Sequence, residues 1–511
     1  MTGAGWRVLP VRLAIAAIVG FALLWLWFSL DWRMQHDTPL MYYAALLMDE
    51  YGRAPYRDFF ETSFVGTFLL HLAVVKLVGY SNTAFLGLNV LHVLAVALAG
   101  ALLMRTFGIR TAIAAPAIFA LLYLSHGPSM MLQRDYLVVL PLALALLAAT
   151  QTRYPWRPAS RAVAVGVLFG LAGAIKPQMV LGALPVWVYL AYADGRPSHP
   201  SRALATGAGW LAGGGLLVIA PLLGWVVAVG AWDEFRFLFR DYIPLHLALS
   251  KEHHLFHGRE YLNYWLSEFV RFGGYAWLLP VAGYGVWRCW RACPDPARRH
   301  RLALLVGVTG VYALLPGLAG QFWAYHWMPF AWCLSVLVAL ALPGADEVRA
   351  GWRDWLVVAV LGGALTMAAW PNWEIRMQMR GERVPPPLGG RVDEIGAFLS
   401  RELRPGDTVQ PLDWTGGALH AMLQARAPLA TRFLYDYHFY HHPGHPVIDG
   451  LRERFLTELA AAPPRFVIEV HDRLHPKDQA DAPRFDALRT WLEGGYRVVH
   501  VGPDYRIWER R

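Results

Sequence analysis

Asp37 is the residue of this sequence best placed to act as a base. It follows the first apolar run by a few positions, in the segment HDTP (36–39). A carboxylate held there by a rigid helix could take the proton of an acceptor hydroxyl while a lipid-borne donor approaches from the bilayer. Asp37 or Thr38 could equally cap a helix that begins at Pro39, and the two roles are compatible.

Two further segments with charged residues border apolar runs. Arg134 and Asp135 stand in QRDY, where a second acid on the same side as Asp37 would suit a two-acid site, although a snorkelling pair is the alternative. Lys176 stands in AGAIKPQ, at the end of an otherwise apolar stretch. A lysine inside a membrane is costly, so it suggests function, with the phosphate of a lipid carrier as its natural partner. Snorkelling to the interface is again the alternative.

Four more polar side chains are candidates for substrate contacts. Arg57 and Asp58 are adjacent, so a local ion pair is the simpler interpretation, whereas a free Arg57 could bind phosphate oxygens. Tyr325 and His326 stand among tryptophans. An aromatic belt explains the tryptophans but explains His326 less well.

Histidine-rich segments at 251–258 and 437–446 raise the question of a metal site. His253, His254 and His257 have nearly helical spacing, but the pattern matches no metal signature. The three cysteines form neither a disulfide framework nor a zinc set. We therefore expect no metal and no other cofactor.

The composition indicates that these residues are held by membrane helices. Of 511 residues, 56% are hydrophobic and only 16% are charged, which is typical of a polytopic membrane protein. The 23 tryptophans and 22 tyrosines suit interfacial belts. The net charge of +9 lies largely in short basic loops that set topology, so it does not indicate a nucleic-acid partner.

The basic loops also predict which runs cross the membrane. If all of these loops lie in the cytoplasm, an even number of crossings must separate any two of them. Three apolar runs lie between Arg12 and Arg105, so one of the three cannot cross. The run 64–80 is short and contains His71 and Lys76, and we interpret it as a helix on the outer surface. The run 162–192 must cross twice, with a break near Pro177. The result is about eleven spans, a cytoplasmic N-terminus, and outer loops at 31–82, 125–135 and 231–274.

The last part of the chain predicts a soluble domain. Residues 371–390, with VPPPLGG, are interpreted as a linker after a transmembrane catalytic domain at 1–370. Residues 391–511 alternate helical patterns with strand-like runs, which predicts an extracytoplasmic α/β domain. The strand-like runs are TVQPLDW (408–414), RFVIEV (465–470), YRVVHV (496–501) and YRIWER (505–510).

Four segments together resemble the GT-C superfamily of membrane glycosyltransferases, which includes protein O-mannosyltransferases and lipid A aminoarabinose transferases. They are Asp37 followed by YYAALLMDEYGRAPYRDF, then QRD, GLAGAIKPQ and GQFWAYHWMPF, in that order. The sequence departs from many relatives in having Asp in place of Glu in QRD. It also has no clear Asp-x-Asp or Asp-x-Glu motif, which speaks against a metal-dependent mechanism.

The resemblance implies an inverting glycosyltransferase with a polyprenyl-phosphate-linked sugar donor, in a bacterial-type inner membrane. The acceptor would be a glycan, a lipid or a protein. It implies Asp37 as the base and Asp135 as a second acid that positions the acceptor. Residues expected to bind substrate are Arg57, Asp58, Arg134, Lys176, Gln178, Tyr325 and His326. The alternatives are a lipid-pyrophosphate-dependent ligase or polymerase and a membrane transporter, although the chain has no paired half-repeat.

Overall fold

A computed structural model describes residues 9–151, 157–192, 198–250, 254–342, 352–471, 475–478 and 484–511. The chain divides into two compact units. Unit 1 comprises Met1–Trp32, Phe85–Leu222 and His257–Val384, and unit 2 comprises Arg33–Ala84, Leu223–Phe256 and Pro385–Arg511. His253, one of the three histidines considered for a metal site, lies outside the described residues.

Helices build unit 1, and most of them are apolar. Their bounds are Leu9–Phe28, Asn82–Met104, Ile109–Ser125, Arg134–Leu137, Val139–Thr150, Pro158–Ile175, Ala183–Tyr192, Pro200–Ala228, Gly258–Arg271, Leu279–Ala292, Pro296–Leu318, Met328–Ala339, Trp352–Ala368 and Trp373–Met379; two of them, Asn82–Met104 and Pro200–Ala228, extend into unit 2 at one end. Within the described ranges, five helices are long and apolar enough to cross a membrane. The pair Trp355–Ala368 and Trp373–Met379, bent by 113°, would make a sixth. The polytopic helical architecture is confirmed, and the number of eleven spans stays a prediction.

The break predicted near Pro177 is confirmed. The helix Pro158–Ile175 ends where Lys176 adopts an extended conformation (φ −145°, ψ 101°), and the turn Pro177–Gly182 then leads into the helix Ala183–Tyr192. The cause is local, because a proline disfavours helical backbone at the residue before it. The break therefore places Lys176 at the end of an apolar helix.

The run 64–80 forms the helix Val65–Val78 in unit 2. Its 14 residues span only about 21 Å, less than the roughly 30 Å of a bilayer core. It packs on the helix Asp37–Glu50, with the rings of Tyr42 and His71 5.9 Å apart. The length and packing agree with a helix that does not cross.

A four-stranded sheet lies at the C-terminal end of unit 2. The strands are β1 (Val409–Leu412), β2 (Phe466–Val470), β3 (Tyr496–Val501) and β4 (Tyr505–Arg510), in the order β1-β2-β4-β3. β1 and β2 are parallel, and the other pairs are antiparallel. All four predicted strands are present. The remaining helices of unit 2 are Trp232–Phe237, Ile243–Leu247, Arg391–Glu402, Ala418–Gln424, Pro446–Ala461 and Asp486–Gly495.

The first loop, residues 33–84, packs within the same unit as this sheet. The Tyr43 hydroxyl donates a hydrogen bond to the carbonyl of Ala427 (2.8 Å), and the amide of Phe60 donates to the carbonyl of Arg432 (2.7 Å). Ten consecutive positions of the helix Asp37–Glu50, from 38 to 47, are buried. The segment that the hydrophobicity pattern assigned to a membrane-domain loop thus contributes a core helix to unit 2.

Candidate functional site

Asp135 and Lys176 form a buried ion pair in unit 1. The Lys176 ammonium lies 2.6 Å from both carboxylate oxygens of Asp135. The Asp135 side chain is 1% exposed and that of Lys176 is 14% exposed. Both residues lie at interruptions of apolar helices: Asp135 is in the short helix Arg134–Leu137, and Lys176 is at the break described above. The two motifs that sequence analysis treated separately therefore meet at one point.

Tyr325 and His326 belong to the same cluster. The Lys176 ammonium lies 5.8 Å from the centroid of the Tyr325 ring, and the Tyr325 and His326 rings are 4.6 Å apart. The His326 Nδ1 contacts the carbonyl of Gln321 at 2.5 Å, which orients the imidazole. A cation beside a tyrosine face gains electrostatic stabilisation, which is largest where water is excluded.

Arg134 and Gln178 lie beside these residues along the chain. Arg134 begins the short helix that carries Asp135. Gln178 lies in the turn after Lys176, and both Arg134 and Gln178 are half-buried. Three segments distant in sequence thus supply the members of one polar cluster.

A tyrosine pair supports the segment that carries Asp135. The rings of Tyr123 and Tyr136 stack 3.7 Å apart. The Tyr123 hydroxyl donates to Asn89 Oδ1 (2.6 Å) and accepts from the amide of Leu132 (3.1 Å). Sequence analysis did not single out Tyr123 or Asn89, since an isolated polar residue in an apolar run gives no signal of its partner.

Asn372 holds the start of the loop 125–135, which leads to Asp135. Its side-chain amide donates to the carbonyl of His126 (3.0 Å), and its side-chain oxygen accepts from the amide of Ile375 (3.1 Å), capping the helix Trp373–Met379. Gly127 has a φ of +74°, and a Cβ there would lie 1.7 Å from the Asn372 side-chain nitrogen. The close approach therefore requires glycine at position 127.

Asp37 lies in unit 2 and begins the helix Asp37–Glu50, two residues before the predicted start at Pro39. It is 8% exposed, and its Oδ1 lies 3.0 Å from the Nδ1 of His36. His36 has a φ of 58°, an uncommon conformation for a residue with a side chain. A carboxylate in a first helical turn is stabilised by the helix dipole, which also suits an ionised base.

Arg57 and Asp58 pair with each other, as the simpler interpretation predicted. The guanidinium donates to both carboxylate oxygens at 2.9 and 2.7 Å, and it also donates to the carbonyl of Val229 (2.6 Å). Asp58 accepts a further bond from the amide of Ala54 (2.8 Å). These contacts account for both residues structurally, and a role in substrate binding stays a prediction.

The histidines of 437–446 have partners other than metal. The His438 Nδ1 contacts the Tyr242 hydroxyl, and the His442 Nε2 contacts the carbonyl of Leu245 (2.8 Å). The His445 Nδ1 accepts from the amide of Val447 (3.3 Å). Across the residues that the structure describes, no group of three or more metal-binding side chains is close enough to hold an ion.

The predicted site residues therefore fall into two sets. Unit 1 brings together Asp135, Lys176, Tyr325 and His326, whereas unit 2 contains Asp37 and the Arg57–Asp58 pair. A site shared by Asp37 and Asp135 stays a prediction.

Solved structures with the same fold include two of ArnT from Cupriavidus metallidurans. ArnT bound to undecaprenyl phosphate aligns over 99% of this chain and 98% of its own, with 15% identity and a TM-score of 0.58. The apo state of ArnT aligns over the same shares, with 16% identity and the same TM-score. The archaeal oligosaccharyltransferase AglB from Archaeoglobus fulgidus aligns over 99% of this chain and 74% of its own, with 12% identity and a TM-score of 0.48.

No protein-family profile and no curated protein matches the sequence. The similarity is thus one of structure, and it extends over almost the whole of this chain and of ArnT. The chain therefore has the same fold as ArnT, in line with the resemblance drawn from its four motifs.

Proposed function

We propose that the chain transfers a sugar from a polyprenyl-phosphate donor to an acceptor hydroxyl on the extracytoplasmic face of the membrane. The observation that carries the proposal is the Asp135–Lys176 pair, which is buried at a helix break among apolar helices. The crystal structure of ArnT with undecaprenyl phosphate supports the class of donor, because that protein has the same fold.

The energetics of the pair favour a functional role. Removing two charges from water costs several kcal/mol per ion, and their mutual attraction rarely returns more than that. A buried ion pair is therefore a poor source of stability. Its role here would be to hold a charged ammonium group inside an apolar environment, where a phosphate could bind it. A lipid phosphate, whose chain requires apolar surroundings and whose head group requires a cation, matches that arrangement.

In the proposed reaction the acceptor oxygen attacks the anomeric carbon while the bond from that carbon to the phosphate oxygen breaks. The acceptor proton passes to the Asp37 carboxylate, and the polyprenyl phosphate leaves with the bonding electrons. Lys176 would stabilise the negative charge that develops on the phosphate. Because both Asp135 oxygens contact Lys176, we assign Asp135 to holding that ammonium in place rather than to the acceptor.

This reaction would invert the configuration at the anomeric carbon. It also requires the site to lie on the side of the membrane where the donor sugar is presented. We propose eleven spans, a cytoplasmic N-terminus, and a C-terminal domain on the side where the donor sugar is presented. Of the helices that the structure describes, five are long and apolar enough to cross the membrane by themselves. Shorter apolar helices, such as Val139–Thr150 and Met328–Ala339, would supply the remaining spans.

Lipid binding tests the assignment of Lys176. Purified protein would be mixed with undecaprenyl phosphate, and the complex would be counted by native mass spectrometry. We expect Lys176→Met to reduce the bound fraction at least tenfold, and Lys176→Arg to retain part of it. The matched control is Lys76→Met, since Lys76 also pairs with an aspartate but is 59% exposed. Equal binding by Lys176→Met and the natural chain would refute the role.

Transfer tests the assignment of Asp37. In membranes that contain the natural acceptor, Asp37→Asn should bind the lipid normally and transfer no labelled sugar, because it lacks a base. Asp49→Asn is the control, being a carboxylate of the same helix that pairs with Lys76. Release of a lipid diphosphate in place of the monophosphate would indicate the ligase-type reaction.

A further inference from the structure

A polar cavity lies in unit 2, at the carboxyl ends of the parallel strands β1 and β2. Its volume is about 260 Å³, close to the lower end of small-molecule sites, which is about 300 Å³. Leu412, the last residue of β1, lines it, and so does His471, which follows β2. Ligands in open α/β sheets bind in the crevice outside the carboxyl ends of the strands, so the position itself suggests a binding site.

One wall of this cavity is a hydrogen-bonded network around the buried Asp436. The Asp436 carboxylate contacts the His475 Nε2 (2.6 Å) and the Lys477 ammonium (3.3 Å), and Lys477 also donates to the carbonyl of Leu412 (2.7 Å). The amide of Lys477 donates to the His475 Nδ1 (3.0 Å), which leaves Nε2 as the donor to Asp436. The charges of Asp436 and Lys477 are therefore satisfied within the network.

Two further pairs of charged or titratable groups line the cavity. Arg489 donates to Glu469 (2.7 Å), and the His471 Nδ1 contacts Asp478 (3.0 Å). Arg484 and Asp486 also line the cavity and add one charge of each sign, so no strong excess of either sign is presented to a ligand. This balance argues against a phosphate or a metal cation, and it favours a neutral ligand with many hydrogen-bonding groups.

Tyr440 offers such a ligand an open hydrogen bond. Its side chain lines the cavity, and its hydroxyl has no hydrogen-bond partner in the described part of the chain. The hydroxyl can therefore both donate a hydrogen bond to a ligand hydroxyl and accept one from it. The ring of Phe485 also lines the cavity and adds apolar surface that C–H groups of a ligand can contact.

We infer that this cavity binds one saccharide unit of the acceptor. A sugar ring has the required combination of hydroxyl groups at its edge, apolar C–H groups on its faces, and no net charge. That the sugar belongs to the acceptor rests on the proposed function, whereas the binding of a sugar does not.

The test is saturation-transfer-difference NMR on the full chain in phosphatidylcholine nanodiscs, because detergents with sugar head groups would compete. The probes are glucose, galactose, mannose, arabinose and N-acetylglucosamine, each added without any donor lipid. We expect at least one to bind, and Tyr440→Phe to weaken that binding about 2- to 10-fold through loss of one hydrogen bond.

Tyr496→Phe is the matched control, since the Tyr496 hydroxyl donates to the carbonyl of Pro464 (2.7 Å) and does not line the cavity. Tyr496→Phe should lower the unfolding temperature and leave sugar binding unchanged. Tyr440→Phe should leave the unfolding temperature unchanged and weaken sugar binding. The proposal is overturned if no sugar binds, if Tyr440→Phe binds as well as the natural chain, or if inorganic phosphate binds in its place. Asp37→Asn should still bind the sugar, so a failure of the transfer mechanism would be recognised separately.

Discussion

The buried pair of unit 1 should be far more sensitive to the loss of one partner than a similar pair in unit 2. Asp135→Asn would leave the Lys176 ammonium buried without its counter-ion. Because the side chains of this pair are only 1% and 14% exposed, we expect a loss of about 3–5 kcal/mol in the free energy of unfolding. Lys176→Met should cost a comparable amount by leaving the carboxylate unpaired.

The exposed pair formed by Lys76 and Asp49 provides the comparison. Its side chains are 59% and 21% exposed, and its ammonium–carboxylate contact of 2.5 Å is as short as that of the buried pair. Pairs in contact with water are worth about 0–1 kcal/mol, so Lys76→Met and Asp49→Asn should each stay within that range. The two pairs thus separate the effect of burial from that of distance.

The assay is equilibrium unfolding by sodium dodecyl sulfate in mixed micelles, followed by tryptophan fluorescence. The double variant Asp135→Asn/Lys176→Met should be more stable than either single variant, because it removes both charges from the apolar surroundings. A coupling of several kcal/mol is expected for the buried pair and less than about 1 kcal/mol for the exposed pair. If Asp135→Asn proves no more destabilising than Asp49→Asn, or if the double variant loses the sum of the two single losses, the reasoning is refuted.

Three other predictions concern packing and pH. Gly127→Ala should cost about 1–3 kcal/mol, because the new Cβ would collide with Asn372, whereas Gly52→Ala, which has a similar φ and open space, should cost only the strain of its backbone. Gly166→Val should lower the unfolding temperature, since a Cβ at that position would lie 2.2 Å from a backbone carbonyl of the helix Pro200–Ala228; an unchanged temperature would contradict that packing. Burial opposes the ionisation of Asp436, but its hydrogen-bonded neighbours outweigh this and hold its pKa below the usual range. The carboxylate therefore stabilises the fold above about pH 4, and this stability should be lost as the pH falls further, with a shallower loss in Asp436→Asn.

Elements with a local signal could be predicted from the sequence. The runs 496–501 and 505–510 are rich in β-branched and aromatic residues and are separated by GPD, and they form the antiparallel strands β3 and β4 with the predicted bounds. The helix break at Lys176 could also be predicted, because the signal is again local: Pro177 restricts the backbone of the residue before it.

Long-range pairing could not be predicted in this way. Asp135 and Lys176 are 41 positions apart, and the charge pattern could assign both to one side of the membrane without showing that they touch. The support of the Asp135 segment by Tyr123 and the close approach of Asn372 to Gly127 also depend on how helices pack, which hydrophobic periodicity does not encode.

Unit 2 consists of three chain segments, 33–84, 223–256 and 385–511, and this division has a consequence for biosynthesis. During synthesis the helix Asp37–Glu50 leaves the ribosome more than 300 residues before Ala427, to which Tyr43 donates its hydrogen bond. Until then the part of its surface that packs on the helix Ala418–Gln424 has no permanent partner, and exposed apolar surface makes intermediates prone to aggregate. The last segment therefore completes a core that was begun near the start of the chain. A nonsense mutation that removes only the C-terminal residues should consequently trigger quality control of the whole membrane protein.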